Sequence, residues 1–505
     1  MSVTIKRKAI QFNPDPKRVI TRFFGPGDDD RARGIIQMVL ALSREERIQL
    51  FNQVLREFSS RHRNVTRIFD QNFESVKHLL VDMNITAESL SKDTQYVIGA
   101  YFTKEYSIES VAFFNPSIVE DPYQGNIQKG QKRVILSFRA TGEGHLSSIV
   151  FRSGIINENN DFDFEHPGDF IDVPEIIRRH IYDKKRFLTK LAEMNIKKDV
   201  IPLVMDQLDE NFNYGQLQAA IVETLKNHDL SYTRQKVVQA INWLAKSHYE
   251  VTFSLDTTIS DRVLFPTSFA ESSGIEDARF VRFRDEDGSI TYYAPYTAYD
   301  GFAILPKLIV TEDFYHFQVN PIHGEKVQNK GLALFPKKIK GQYAMLSRLD
   351  GVNNYVMFSK DITLWDNARK IQEPQYPWEF VQVGNAGSPI ETERGWLVVT
   401  HGVGPMRTYS LGAMLLDLDD PTKVIARLKE PLLTANQKER DGYVPNVVYS
   451  CGSLIHNNEL IVPYALSDYS STIAGFPLDE LFDELSPRRS RRRSGVSRPR
   501  PSPGS

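Results

Sequence analysis

The chain of 505 residues contains a single cysteine, Cys451. An intrachain disulfide is therefore impossible, as is a zinc or iron–sulfur site built on several thiolates. Charge of either sign is not in excess: 62 Lys and Arg stand against 64 Asp and Glu, a formal net charge of −2. A whole-protein field that would draw in nucleic acid or an anionic membrane is absent. No apolar run approaches the roughly 18 residues of a membrane span, and MSVTIKRKAIQFNPDPKRV lacks the apolar core of a signal peptide. These absences predict a soluble, cytoplasmic protein with no nucleic-acid or membrane partner. The Gly-rich nucleotide loop, the His-Glu-x-x-His metal motif and the Ser nucleophile elbow are missing too. No metal and no organic cofactor is expected.

What is present divides into zones. Residues 1–93 read as helical after a short extended lead. Ser43 and Glu46 have capping-box spacing, and Ile48, Phe51, Val54, Leu55 and Phe58 recur at helical intervals. Residues 94–171 switch to short β-branched and aromatic runs such as Val134–Phe138. Residues 172–250 return to helical periodicity, with one stripe of Leu217, Ala220, Ile221, Thr224 and Leu225 and another of Val237, Ala240, Ile241 and Leu244. Residues 251–484 are strand-rich, and a hairpin is predicted where Arg279–Phe283 and Thr291–Tyr296 flank Asp-Glu-Asp-Gly. Residues 485–505 form an Arg/Ser/Pro-rich tail that cannot bury a core and is expected to be disordered.

A repeat runs through the strands. LSFRATG (136–142), APYTAYDG (294–301), MLSRLDG (345–351), VVTHGVG (398–404) and VPYALSD (462–468) each take an apolar strand into a small or polar cluster. The last four starts are 51, 53 and 64 residues apart. The first gap, 158 residues, contains the helical third zone. A period of roughly 40–50 residues with several strands per unit is the mark of a β-propeller. The expected architecture is mainly β: a five-bladed β-propeller, with an N-terminal helical region and a helical insertion between the first two blades. Strand ends would then converge on one axis: Arg139, Tyr299, Asp300, Arg348, His401 and Asp468. Taken singly, His401 reads as a core histidine, Arg348 as a strand-end cap and Asp468 as a turn residue; only convergence gives them a common role. Guanidinium, imidazole, carboxylate and aromatic groups together suit a polyhydroxylated ligand that can carry negative charge. In GIEDAR (274–279), the adjacent acids Glu276 and Asp277 are expected on opposite faces of a strand.

With those residues in view, the chain resembles the inverting β-mannoside phosphorylases and mannosidases of glycoside hydrolase family 130. The resemblance is carried, in order, by FFNPSIV (113–119), GIEDARF (274–280), YYAPYTAYDG (292–301), NKGLALFPKKIKGQYAMLSR (329–348), GSPIETERGWLVVTHGV (387–403), LGAMLLDLDDPTKVIARLKEPLL (411–433), GYVPNVVYSCG (442–452) and IVPYALSD (461–468). It implies that Asp277 is the general acid, that Asn115, Arg139, Arg279, Asp300 and Asp468 contact sugar, and that Lys330, Arg348, His401 and Arg407 hold phosphate. Ala278 stands where the family usually has proline. The implied reaction is phosphorolysis of β-1,2- or β-1,4-linked mannosides to α-mannose 1-phosphate, with inorganic phosphate as co-substrate and no cofactor. Two alternatives stay open here. One is an inverting β-mannosidase, with Glu391 or Glu393 activating water. The other is a carbohydrate-binding propeller without catalysis. The helical regions lie outside the resemblance and are candidates for covering the site or for self-association into a homo-oligomer.

Overall fold

The architecture is described from a computed structural model covering residues 3–486, less 178–180, 195–198, 229–230, 302–303 and 328. The Arg-rich tail from 487 onward lies outside the described residues. The protein is mainly β. Five antiparallel sheets of four or more strands follow one another along the chain. The first is built on Ala112–Glu120, Lys132–Thr141 and Ser147–Ile156. The second centres on Ile290–Tyr299, Ile304–Thr311 and His316–Pro321. The third runs from Ala333–Leu334 through Tyr343–Ser347 and Asn354–Ser359 to Ala368–Gln372. The fourth is built on Gln382–Asn385, Gly395–Val403 and Tyr409–Leu416, and the fifth on Glu459–Leu466 and Ser470–Pro477. The five sequence repeats fall one to a sheet.

The apolar runs are nearly continuous because both faces of each sheet are buried. Ile135 and Phe151 of the first sheet share a core with Tyr292, Tyr296 and Phe317 of the second. Phe283 and Leu308 of the second meet Leu334, Met345 and Met357 of the third. Leu346 and Val356 of the third meet Trp396, Val398 and Met414 of the fourth. Leu397 and Val399 of the fourth meet Val462, Tyr464 and Phe476 of the fifth. Leu136 and Phe138, on the other face of the first sheet, meet Ile461 and Ile473 of the fifth. The shared cores thus return to where they began. The extended lead, Lys6–Phe12, pairs antiparallel with Ser470–Pro477, so both ends of the described chain sit in the fifth sheet. Trp365 and Trp396 are buried packing residues.

Apart from Leu478–Leu485, which packs on the fifth sheet's core, the described helices form two separate clusters. Asp29–Ala41, Arg44–Phe58, Val65–Val76 and Lys92–Tyr101 build one, and Ser43 with Glu46 makes the reciprocal cap that the spacing predicts. Lys184–Glu193, Ile201–Met205, Tyr214–Asn227 and Tyr232–Lys246 build the other. In the second cluster Leu217, Ala220, Ile221 and Thr224 are buried as expected. Leu225 instead lies on the exposed side of its helix, one position past the buried stripe. The predicted hairpin forms, with Val281 opposite Tyr293 and Phe283 opposite Thr291.

One buried polar network braces the approach to Asp277. Glu271 and Lys307 are both fully buried and pair at 2.6 Å. Tyr249 and Tyr296 donate to the same carboxylate, as do the backbone N–H groups of Thr267 and Ser268. Burial pushes the Glu271 carboxyl up, but Lys307, Tyr296 and Ser268 outweigh it and hold the group ionised. The network fixes the loop that leads into Ile275–Glu276, the strand ahead of Asp277. Replacing Glu271 with glutamine strands a buried ammonium and should cost about 3–5 kcal/mol of stability. Urea unfolding of Glu271→Gln reads this directly, and a loss within error of zero would show that the network does not hold the loop.

Candidate active site

Asp277 ends the short strand Ile275–Glu276, which pairs with Thr297 and Ala298. Its position is set from three directions. Ser147 Oγ donates to Ile275 O at 2.9 Å. Ser273 N–H donates to Tyr299 O at 2.9 Å, and Tyr299 N–H donates to Gly274 O at 3.2 Å. Asp277 itself is in the left-handed region, at φ 53°. That turn overrides strand alternation, so the expectation of opposite faces fails: Glu276 and Asp277 both reach Arg139. Arg139 Nη2 donates to Glu276 Oε1 at 3.1 Å, and Nη1 lies 3.7 Å from Asp277 Oδ1. Lys330 also bonds Glu276. Glu276 was not among the predicted site residues, because the period-two rule assigned it outward.

Asn115 Nδ2 donates to Asp277 Oδ1 at 2.7 Å. Asn115 and Asp468 share the left-handed conformation, at φ 50° and 53°. Asn and Asp enter that region more readily than other residues with a Cβ, and such conformations gather at functional sites. Asn115 lies where the first sheet's register shifts, between Phe114 and Ser117. Burial pushes the Asp277 carboxyl up, but Arg139, Arg279, the Asn115 hydrogen bond and Lys330 hold it below the ordinary carboxylate range. Asp277 is therefore ionised in this state.

The basic side of the cluster is built from other sheets. Arg279 is almost wholly buried, at 2 % exposure, and donates to Tyr449 Oη at 2.8 Å. Asn385 O can only accept, so the 3.0 Å contact to His401 Nδ1 places the proton there. His401 Nε2 then accepts from Arg348 Nη1 at 3.2 Å. Burial, Arg348 and Arg279 drive the His401 pKa well down, so the ring is neutral. Gly384 makes room for it: a Cβ there would stand 2.5 Å from His401 Cε1. Tyr449 packs against His401 with ring centroids 5.0 Å apart. It was missed by sequence reasoning, although it stands inside the matched stretch GYVPNVVYSCG, because an aromatic on an apolar strand reads as core.

Asn115, Arg139, Asp277, Arg279, Lys330, Arg348, His401 and Asp468 thus form one cluster, tied together by the contacts and mutual electrostatic effects just given, with Arg407 at its exposed rim acting on Asp468. Asp300 lines a cleft between the second sheet and the second helical cluster. Glu391 pairs with Lys337 at 2.6 Å on the exterior, and Glu393 is exposed. Among the described residues, no group of three or more His, Cys, Asp or Glu is arranged to hold a metal. No described helix is long and apolar enough to cross a membrane.

A mainly β scaffold that sets the carboxylates of Glu276, Asp277 and Asp468 among basic side chains suits a polar, hydroxylated ligand together with an anion. The comparisons agree on the class. Residues 232–486 match the profile of glycoside hydrolase family 130, described as beta-1,4-mannooligosaccharide phosphorylase. The chain belongs to this family. It is 36% identical over 220 residues to the 1,2-beta-oligomannan phosphorylase of Thermoanaerobacter sp. (strain X514), covering 42% of this chain and 70% of that one. It is 29% identical over 322 residues to the beta-1,2-mannobiose phosphorylase of Listeria innocua serovar 6a, covering 62% and 83%. A solved structure of the Listeria innocua beta-1,2-mannobiose phosphorylase with beta-1,2-mannobiose overlays with a TM-score of 0.45 at 22% identity, covering 75% of this chain and 93% of that one.

Asp468 gives a pH signature. Burial and the charge of Asp277 lift its carboxyl to about 6, against Arg139 and Arg407. A carboxyl raised on folding adds stability when protonated; that contribution is complete below the unfolded value and lost as pH rises through about 6. Asp468→Asn removes the titration. The wild-type urea midpoint should fall relative to the variant's between about pH 4 and pH 7; a difference that does not change with pH would overturn the assignment.

Proposed function

We propose that the protein is an inverting phosphorylase of β-1,2- or β-1,4-linked mannosides, releasing α-mannose 1-phosphate. The charge balance of the site carries this reading. Arg139, Arg279, Lys330, Arg348 and Arg407 stand against Glu276, Asp277 and Asp468, while His401 is neutral. The excess of two positive charges matches a phosphate dianion. The Nε atoms of Arg139, Arg279 and Arg348 are buried without a hydrogen-bond partner among the described residues. Buried donors of this kind are costly unless a ligand or water completes their surroundings.

In this reading phosphate, held by Lys330, Arg348 and Arg407, with His401 orienting the Arg348 guanidinium, attacks C1 of the mannosyl unit as the glycosidic C1–O bond breaks on the opposite face. The leaving oxygen takes a proton that Asp277 acquires from solvent once phosphate is bound and passes on through a sugar hydroxyl. Asp277 is ionised before phosphate arrives. A bound dianion offsets the cations that hold its pKa down, so phosphate would raise the proton affinity of the acid it needs. Asn115, Arg139 and Asp468 line the sugar position, and Arg279 with Tyr449 backs the phosphate position. A hydrolase would need a second carboxylate to activate water; the exterior positions of Glu391 and Glu393 weigh against that variant. The cycle of shared cores supports reading the five sheets as blades of a five-bladed propeller, with the helical insertion between the first and second blades.

Asp277→Asn should lose at least about a hundredfold in kcat. Phosphorus NMR of a reaction with mannobiose and phosphate should show α-mannose 1-phosphate from the wild type. A near-normal rate in the variant would remove the acid, and phosphate-independent release of mannose would replace the phosphorylase with a hydrolase.

A further inference from the structure

The second helical cluster faces the second sheet across a cleft of about 1570 Å³. That exceeds the roughly 300–1,000 Å³ of a site for one small ligand. The cleft adjoins the cluster of Asp277. Asp300 lines it and directly follows Tyr299, whose ring centroid lies 5.9 Å from Lys330 Nζ. Val327, just ahead of Lys330 in the chain, lines it as well.

Its chemistry differs from that of the centre. The lining carries three lysines against four carboxylates, so it has almost no net charge and no preference for an anion. Phe269 stands at the surface with 66% of its area exposed, and Trp243 is half-buried on the opposing helix. Gln239 and Asn242 present amides from the same helix, Tyr232–Lys246. Gln218 and Tyr214 donate to Asn242 Oδ1, which fixes that amide with its N–H groups left to donate. Aromatic faces beside amides and carboxylates suit uncharged sugar rings. The far wall is also firmly anchored. Lys190 donates to Ile322 O at 3.0 Å, and Glu193 accepts from Gly324 N–H at 2.9 Å. The cleft is preformed, which lowers the ordering cost of binding a flexible chain.

We infer that this cleft binds the leaving-group end of a β-mannoside oligomer, the units beyond the pair joined by the cleaved bond, and makes the protein selective for chains over disaccharides. This rests on the reaction proposed above and assigns the part of the substrate that the reaction leaves open.

The test compares phosphorolysis of mannobiose and mannotetraose by the intact wild type and by Phe269→Ala and Gln239→Ala. Phe269 is exposed and Gln239 sits on the solvent side of its helix, so neither change threatens the fold. Loss of an aromatic face should raise KM for mannotetraose roughly five- to tenfold, with kcat and the mannobiose constants unchanged. Equal losses on both lengths, or no change on either, would overturn the cleft assignment while leaving the phosphorylase in place. A wild type that phosphorolyses neither length would overturn both.

Discussion

The site depends on keeping one largely buried carboxylate ionised. A carboxyl group taken out of water reverts to its neutral form unless cations and donors compensate. Asp277 has that compensation from Arg139, Arg279, Asn115 and Lys330. Those four come from the first sheet, the end of the acid's own strand, and the approach to the third sheet. The carboxylate and its surroundings therefore exist together only when several sheets are in register around them. The Glu271–Lys307 network secures the same geometry from behind by fixing the loop that delivers Asp277.

Much of this was legible in the sequence. The five repeats mark five sheets because each sheet ends one strand in the same kind of small or polar cluster. The hairpin at 281–299 and the cap at Ser43 follow from local chemistry, which tertiary contacts have no reason to override. Motif matching picked out Asp277, Lys330, Arg348 and His401, which are far apart along the chain yet lie in one cluster. What periodicity could not give was orientation where regular structure stops. Glu276 faces the site because Asp277 turns left-handed, and no alternation rule holds across such a residue. Tyr449 escaped notice because its hydroxyl function appears only once Arg279 is seen buried beside it. Asp300, just past the strand end at Tyr299, lines the cleft beside the second helical cluster.

The two helical clusters show the limits of pattern in another way. Their buried stripes were readable, with Leu225 falling just outside one of them, but a stripe tells only that a helix packs. It does not say what the opposite side of the helix looks onto. Trp243, Gln239 and Asn242 lie on or beside a packing face, and they become interesting only because Lys190 and Glu193 dock the cluster against Ile322 and Gly324.

In the proposed reaction, centre and cleft divide the work by charge. The centre is surplus in cations and excludes water from much of its surface, so an anion entering it meets strong, weakly screened fields. The cleft is near neutral, with polarity spread over amides and carboxylates. A neutral chain would be indifferent to the first and held by the second, whereas phosphate would be drawn to the first alone. Such a partition orders the reaction without moving parts. In that reading the sugar chain would be positioned in the near-neutral cleft, and the dianion would then change the electrostatic balance around Asp277. In the proposed reaction one acid would serve, because its proton affinity would be set by the arrival of the nucleophile itself.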